Sequence, residues 1–189
     1  YEPERQDVKY IHCKNERHLL MSFLDEWERY GAPDILTGWN ISFFDIPYLV
    51  NRIRNVLDEK ECKRLSPWKH INEKTTKFMG KEHILITIVG VAVLDYLEMY
   101  KKFTYTQQES YRLDHIAFTE LGEKKLDFHE LGYETIHEFY ENDFTNYINY
   151  NIRDVELVDK LDDKMKLIEM VLTLAYDAKV NMADTFTQV

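Results

Sequence analysis

The feature that most constrains the fold is an apolar run of 11 residues, from Ile84 to Leu94. Most of these residues are β-branched, which favours a strand, and none of them is charged. We expect a strand buried on both faces, which needs helices packed on each side of a sheet. The run is too short to cross a membrane as a helix, which takes about 20 residues.

Helical and extended segments alternate along the rest of the chain. Apolar side chains recur at helical spacing in five segments: Asn15–Tyr30, Pro47–Leu57, Asp95–Phe103, Tyr111–Phe118 and Asn142–Tyr176, the last being one long helix or two nearly collinear ones. Short strands are predicted over Val8–Cys13 and Asp34–Trp39, and a hairpin over Lys69–Ile88. This alternation predicts a mixed α/β domain, in which ligands gather at the carboxyl ends of strands.

Charge is unevenly distributed. The net charge is 24 − 34 = −10, which argues against non-specific binding to duplex DNA over the whole surface. The segment from Lys60 to Lys81 contains seven basic and two acidic residues. The segment from Glu120 to Asp163 contains 13 acidic and four basic residues. Solvated surface is the simplest interpretation of both segments. A nucleic-acid role must therefore depend on a local patch or on bound cations.

The cysteines exclude two kinds of site. The chain has two, Cys13 and Cys62, and their spacing fits neither a metal site nor a disulfide framework. We therefore expect a reducing compartment.

The first constellation of residues that could carry chemistry is Asn40-Ile-Ser-Phe-Phe44-Asp45. It lies where a predicted buried strand gives way to a helix. A carboxylate at the carboxyl end of a strand is well placed to reach a metal ion. The alternative is that Asp45 caps the helix that Pro47 opens.

The second constellation is Tyr150-Asn-Ile-Arg-Asp154, inside the last predicted helix. A separation of four residues places the phenol and the carboxylate on one helix face, one turn apart. Because Ile148, Ile152 and Val155 flank them, we expect this face to be turned towards the core. A carboxylate in that position is costly unless it is paired or bound to a metal.

Together, and in this order, the two constellations resemble the second and third exonuclease motifs of family B DNA polymerases. Those motifs consist of Asn, two or three residues and Phe-Asp, and then of Tyr, three residues and Asp. Five further stretches are similar to the replicative polymerases of T-even-type bacteriophages: Asp34–Asn40, Ile46–Arg52, Lys63–Pro67, Val93–Leu97 and Tyr100–Phe103. The resemblance covers nearly the whole chain.

The resemblance implies an α/β fold of the ribonuclease-H-like kind, a mixed sheet flanked by helices with an inserted β-hairpin. It also implies a 3′–5′ exonuclease that removes mismatched 3′-terminal nucleotides, with four carboxylates holding two Mg²⁺ or Mn²⁺ ions. By this resemblance Asp45 serves one ion, Asp154 ligates the other, and Tyr150 orients the attacking water. Asn40 and Phe44 shape the site for the DNA strand.

One part of the family pattern is not found. Its first motif, Asp-x-Glu, should precede Asn40, but the only such triplet is Asp154-Val-Glu156. We therefore expect a piece of a longer polymerase, in which residues 1–178 form a partial exonuclease domain that lacks its first strands and is inactive by itself. Residues 179–189 would begin the connection toward the polymerase palm. The alternative is a non-catalytic ribonuclease-H-like module that binds nucleic acid or a partner protein.

In similar polymerases the hairpin, here about residues 70–89, helps to separate a mismatched primer end from its template. Its lysines would follow phosphates and its tip would wedge against a base, through Lys74, Lys77, Phe78, Met79 and Lys81. The alternative is an ordinary exposed hairpin whose lysines protect an edge strand.

The resemblance also implies the partners. These are a single-stranded DNA 3′ end, primer-template DNA, a sliding clamp and other replisome proteins, in the cytoplasm of an infected bacterial host. No membrane partner is expected. The exposed edge of an incomplete sheet favours a homodimer of the chain.

Overall fold

The computed structural model describes residues 8–78, 81–124 and 128–187. In that part of the chain the strands are β1 (Ile35–Gly38), β2 (Ile71–Phe78), β3 (Lys81–Ile88) and β4 (Ala92–Asp95). The helices are α1 (Glu16–Arg29), α2 (Asp45–Val56), α3 (Glu59–Cys62), α4 (Tyr96–Phe103), α5 (Leu113–Leu121), α6 (Ile136–Asn142), α7 (Phe144–Met165), α8 (Leu167–Ala178) and α9 (Asp184–Thr187), with a 3-10 turn at Lys63–Leu65. The chain is therefore of the α/β class.

The chain divides into two compact units. The first, called the strand unit here, comprises residues 11–99 and 173–187; the second, the helical unit, comprises residues 8–10 and 100–172. All four strands belong to the strand unit.

Neighbouring residues set both ends of α1 and the start of α2 in the strand unit. The side chain of Asn15 accepts a hydrogen bond from the His18 amide and so caps α1. Past the last turn of α1, Gly31 has φ +67°, a conformation that ends a helix at little cost to glycine. In α2, Pro47 occupies the first turn, where its missing N–H removes no helix hydrogen bond. The predicted helices 15–30 and 47–57 are confirmed.

The core of the strand unit lies between α1, α2 and the strands. Its buried side chains are apolar and belong to one cluster: Leu20, Leu24, Ile41, Ile46, Val50, Ile53, Cys62, Leu65, Ile86, Ile88 and Val91. β1 and β4 pair in parallel, with Ile35 opposite Ala92 and Gly38 opposite Asp95. The carboxyl ends of both strands therefore meet at the same edge.

The expectation of one continuous strand over Ile84–Leu94 is wrong. β3 ends at Ile88 and β4 begins at Ala92, because the chain turns at Gly90, which has φ +91°. The Val91 amide donates to the Ile88 carbonyl at 3.0 Å and closes the turn. Ile84 is 50% exposed, so the first half of the run is not buried on both faces. Gly90 lies in the middle of the apolar run, and a glycine at such a position is typical of a bend or break in a strand.

β2 and β3 pair antiparallel from Ile71–Ile88 to Phe78–Lys81. The two residues between them, at positions 79 and 80, lie outside the described part of the chain.

Of the remaining predicted elements, the first strand needs correction. Residues 8–13, expected as a strand, have no regular secondary structure, and the described backbone offers β1 only β4 as a partner. Of the two alternatives for the long helical segment, the structure shows two helices, because Lys166 adopts a left-handed conformation (φ 55°, ψ 37°) between α7 and α8. Helix α6 was not predicted.

The helical unit is built around α7. α5 and α6 pack against it, and its buried residues are Leu157, Val158 and Leu161. Val155 is 71% exposed, so the expectation that it shares the core-facing stripe is wrong. Among the described residues no helix is long and apolar enough to cross a membrane.

Candidate active site

The Asn40–Asp45 segment forms a tight loop between β1 and α2. Asn40 has φ +63°, a left-handed conformation that asparagine tolerates better than most residues. Ile41 is buried, and a Cβ at Gly38 would lie 2.4 Å from its Cγ2, so only glycine leaves room for it there. The Ile46 amide donates to the Ile41 carbonyl at 3.0 Å. The loop is thus fixed at both ends.

Asp45 is the first residue of α2. The helix cap is Phe44, whose side chain makes no capping hydrogen bond, so the alternative in which Asp45 caps the helix is not supported. Partial burial raises the pKa of the Asp45 carboxyl, and the nearby charge of Asp95 raises it further. A carboxylate whose charged form is disfavoured in this way gains from a nearby cation.

Asp95 was not singled out as a site residue from the sequence, yet it is the most buried carboxylate in this region, at 2% exposure. Its Oδ1 accepts from the Asn40 amide at 3.0 Å and from the Leu97 amide at 3.1 Å, and its Oδ2 accepts from the Ser42 amide at 3.0 Å. Burial raises the pKa of this carboxyl, while the three hydrogen bonds oppose that effect.

An exposed aromatic pair adjoins Asp45. Phe44 and Tyr48 are 66% and 62% exposed, and their rings are nearly parallel, 7° apart in orientation with centroids separated by 6.5 Å. Exposed aromatic rings of this kind can stack on nucleobases. Asn40, Phe44 and Asp45 therefore lie together in one loop, as the sequence predicts.

The other predicted pair lies on α7 in the helical unit. The ring of Tyr150 contacts the rings of Phe128 and Phe139 edge-on, at centroid distances of 6.4 and 6.1 Å. The Oδ1 atom of Asp154 is buried. Arg153, between them in sequence, pairs with Glu123 and with Glu156. Aromatic packing thus fixes the position of the Tyr150 ring.

The predicted DNA-binding residues of the hairpin are only partly described. Lys74 is exposed on β2. Lys77 and Phe78 are the last residues of β2 and Lys81 is the first of β3, but Met79 lies outside the described residues.

The neighbouring basic residues are not all available to a ligand. Arg64 pairs with Asp25, Glu28 and Glu61 at 2.6, 2.7 and 2.9 Å, and Lys69 pairs with Glu28 at 2.8 Å. The local excess of positive charge is therefore smaller in the folded chain than in the sequence.

The donor set suits a divalent cation only in part. Asp45 and Asp154 offer carboxylate oxygens, the ligands that Mg²⁺ and Mn²⁺ prefer. Within residues 8–78, 81–124 and 128–187, however, no group of three or more His, Cys, Asp or Glu side chains is arranged to hold a metal ion. Both oxygens of Asp95 already accept hydrogen bonds from amides. Each of these side chains can supply oxygen ligands, but the described residues of neither unit complete a metal centre by themselves.

Comparison with known families identifies the class of protein. Residues 1–116 match the family model described as "DNA polymerase family B, exonuclease domain". The chain belongs to this family of exonuclease domains.

Individual relatives show which polymerases of this family the chain resembles. The chain is 40% identical to the DNA-directed DNA polymerase of Escherichia phage RB69 over 96% of its own length, and 38% identical to that of Enterobacteria phage T4 over 92%. The DNA polymerase catalytic subunit of Elephantid herpesvirus 1 is 32% identical over 81% of the chain. The aligned regions are 20%, 19% and 15% of these three proteins, so the chain spans about a fifth or less of the relatives it matches. The resemblance to phage polymerases is confirmed.

Proposed function

We propose that this chain is part of a replicative DNA-directed DNA polymerase, in which it contributes a 3′–5′ exonuclease that removes mismatched 3′-terminal nucleotides. Its fold in this proposal is ribonuclease-H-like, with β2 and β3 as an inserted hairpin. Residues 1–178 belong to the exonuclease domain and residues 179–189 lead toward the palm.

The proposal assigns each site residue a role. Asp45 and Asp154 supply carboxylate ligands, one for each of two divalent ions, Mg²⁺ or Mn²⁺. Such ions, when bound, activate water and stabilise the leaving oxygen of a phosphodiester. Tyr150 orients the attacking water through its hydroxyl, and Asn40 and Phe44 hold the terminal nucleotide.

The observation that carries the proposal is the Asn40–Asp45 loop in a chain of this family. It presents a partly buried carboxylate at the carboxyl end of a parallel strand, beside exposed aromatic rings. This is the edge of an α/β sheet at which ligands bind, and single-stranded DNA is the ligand that exposed aromatic rings favour.

The test uses the polymerase that carries this domain. Asp45→Asn and Asp154→Asn should each lower the rate of single-stranded DNA digestion by at least about 10³-fold, because members of a cooperative site act non-additively. Tyr150→Phe should be milder, since the ring keeps its contacts with Phe128 and Phe139. Primer extension should stay near normal in all three variants.

The matched control is Asp159→Asn, which removes the same charge from an exposed position on α7. Digestion by this variant should equal that of the parent protein. Full digestion by Asp45→Asn would contradict the proposal, and DNA binding without any hydrolysis by the unmodified protein would favour a non-catalytic nucleic-acid-binding module.

The partners follow from the proposal and are part of it. They are the single-stranded 3′ end, primer-template DNA, a sliding clamp and other replisome proteins, in the cytoplasm of the infected host. A homodimer of the 189-residue chain through the edge of its sheet belongs to the same proposal, and analytical ultracentrifugation of the chain tests it.

A further inference from the structure

The buried carboxylate of Asp95 joins two segments that are far apart in sequence. Asp95 ends β4, whereas Asn40 and Ser42, whose amides it binds, lie in the loop after β1. The same carboxylate binds the Leu97 amide at the start of α4. One side chain therefore connects the end of one strand, the start of a helix and the loop that precedes Asp45.

The hydrogen-bonding capacity explains why the residue is an aspartate. Three amides donate to two oxygens, and both oxygens must act as acceptors. An asparagine in the same place has one acceptor oxygen and an amide group that would meet one of the donors. A buried carboxylate is costly unless such bonds satisfy it, and charge-assisted bonds are the stronger kind.

The loop needs this support. Its first residue, Asn40, is held in a left-handed conformation, and residues 39–44 form turns without a strand partner among the described residues. The bonds to Asp95 hold the loop together with the Ile46–Ile41 hydrogen bond, the buried Ile41 side chain and the contact between the Trp39 and Tyr96 rings.

We infer that Asp95 is a positioning residue, which locks the Asn40–Ser42 loop and thereby fixes where α2 begins and where the Asp45 carboxylate lies. The structural part of this inference stands by itself. Its effect on hydrolysis rests on the proposed function.

The first measurement needs no variant. In the 189-residue chain the amides of Asn40 and Ser42 should exchange with solvent at least about 100-fold more slowly than an unprotected amide, since each is hydrogen-bonded to a buried acceptor. Unprotected exchange at both amides, measured by NMR, would overturn the inference.

The second measurement compares Asp95→Asn with Ser66→Ala. Asp95→Asn should speed exchange at Asn40 or Ser42 by at least tenfold more than at Val50, in the core of α2. Ser66 is fully buried and its hydroxyl donates to the Val89 carbonyl at 2.6 Å, away from the loop. Ser66→Ala should therefore show no selective change at the loop, and an equal pattern in both variants would contradict the inference.

The third measurement is made in the polymerase that carries the domain. Asp95→Asn should lower kcat for single-stranded DNA digestion at least tenfold with little change in KM, because it displaces a ligand residue and removes no contact with DNA. Ser66→Ala should leave kcat within about twofold. If Asp45→Asn abolishes digestion while Asp95→Asn leaves kcat unchanged, the proposed function stands and the positioning role is wrong.

Discussion

At the scale of single residues, the neighbours of Gly90 leave no space for a side chain at that position. A Cβ at this position would lie 2.3 Å from Cδ1 of Trp68 and 2.6 Å from Cγ of Pro67. The residue also has φ +91°, which costs an L-amino acid on the order of 1–3 kcal/mol. The turn between β3 and β4 therefore admits only glycine.

Gly90→Ala should lower the free energy of unfolding by at least about 1 kcal/mol more than Gly31→Ala does, since overpacking adds about 1–3 kcal/mol to backbone strain. Gly31 is the control because it also has a positive φ, +67°, but no atom lies within 4 Å of a Cβ there. Urea unfolding of the 189-residue chain measures both. Equal losses would mean that Trp68 moves aside freely.

The site residues show what a sequence can predict at this scale. The sequence was sufficient to place Asn40, Phe44 and Asp45 together where a strand gives way to a helix, and their role in a site stays a prediction. Asp95 could not be assigned in the same way, since an aspartate at the first position of a predicted helix is adequately explained by helix capping, and it does bind the Leu97 amide. Only the parallel pairing of β1 with β4 brings it to the Asn40 loop.

At the scale of elements, an ionic network fastens α1 to the segment after α3. Its centre is Glu28, whose pKa is lowered to about 2, first by its hydrogen bond to Arg64 and then by its bond to Lys69. Because the pKa of Glu28 is lower in the folded state than the ordinary glutamate value of 4.5, the network stabilises the fold above pH 4.5. That stabilisation is lost as the pH falls from 4.5 towards 2.

Glu28→Gln should therefore flatten the loss of stability between pH 4.5 and 2. Above pH 5 the variant should be less stable by up to about 1 kcal/mol, a small value because the pair is solvent-exposed. Thermal unfolding across this pH range measures the difference. Glu130→Gln, at an exposed turn position, is the control, and an acid-unfolding profile of Glu28→Gln identical to that of the parent would contradict the role of the network.

The hairpin of β2 and β3 can be shortened without disturbing its base. Lys74 and Leu85 are cross-strand partners, so replacing Thr75–Ile84 by an Asn-Gly turn keeps the register. If the hairpin separates strands, the polymerase with this change should excise a mismatched end from duplex DNA at least tenfold more slowly, because unpairing costs a few kcal/mol. Digestion of single-stranded DNA should be unchanged, and equal losses on both substrates would show a structural role instead.

Periodicity predicted α1 and α2 well, because each packs an apolar face on a single core. It left open whether the last segment is one helix or two, and it was less successful for the Ile84–Leu94 run. The left-handed Lys166 and the turn at Gly90 each divide a pattern that is continuous in sequence. Exposure of Val155 likewise depends on which neighbours α7 packs against.

At the scale of the whole molecule, a net charge of −10 repels DNA except where basic residues cluster. Seven basic residues lie between Lys60 and Lys81, but Arg64 and Lys69 are engaged with acidic side chains. The remaining five limit the number of phosphates that this segment can neutralise.

Binding of a single-stranded oligonucleotide through this segment should depend on salt with a log–log slope no steeper than about −3.5, since each neutralised phosphate contributes about −0.7. Lys74→Gln should reduce the slope by about 0.7, whereas Lys69→Gln should leave it unchanged. Fluorescence anisotropy over a range of salt concentrations measures the slopes. Equal effects of the two substitutions would show that the ion pair with Glu28 does not keep Lys69 from neutralising a phosphate.

The parallel pairing of β1 with β4 also has a consequence during synthesis on the ribosome. Thr37 on β1 bonds to Leu94 on β4 across 57 positions of sequence, and translation at about 5–20 residues per second takes about 3–11 s to cover that distance. Throughout that interval β1 has emerged without its partner, and its backbone can pair with another nascent chain. Its length of only four residues keeps that exposed template too short for such pairing to persist.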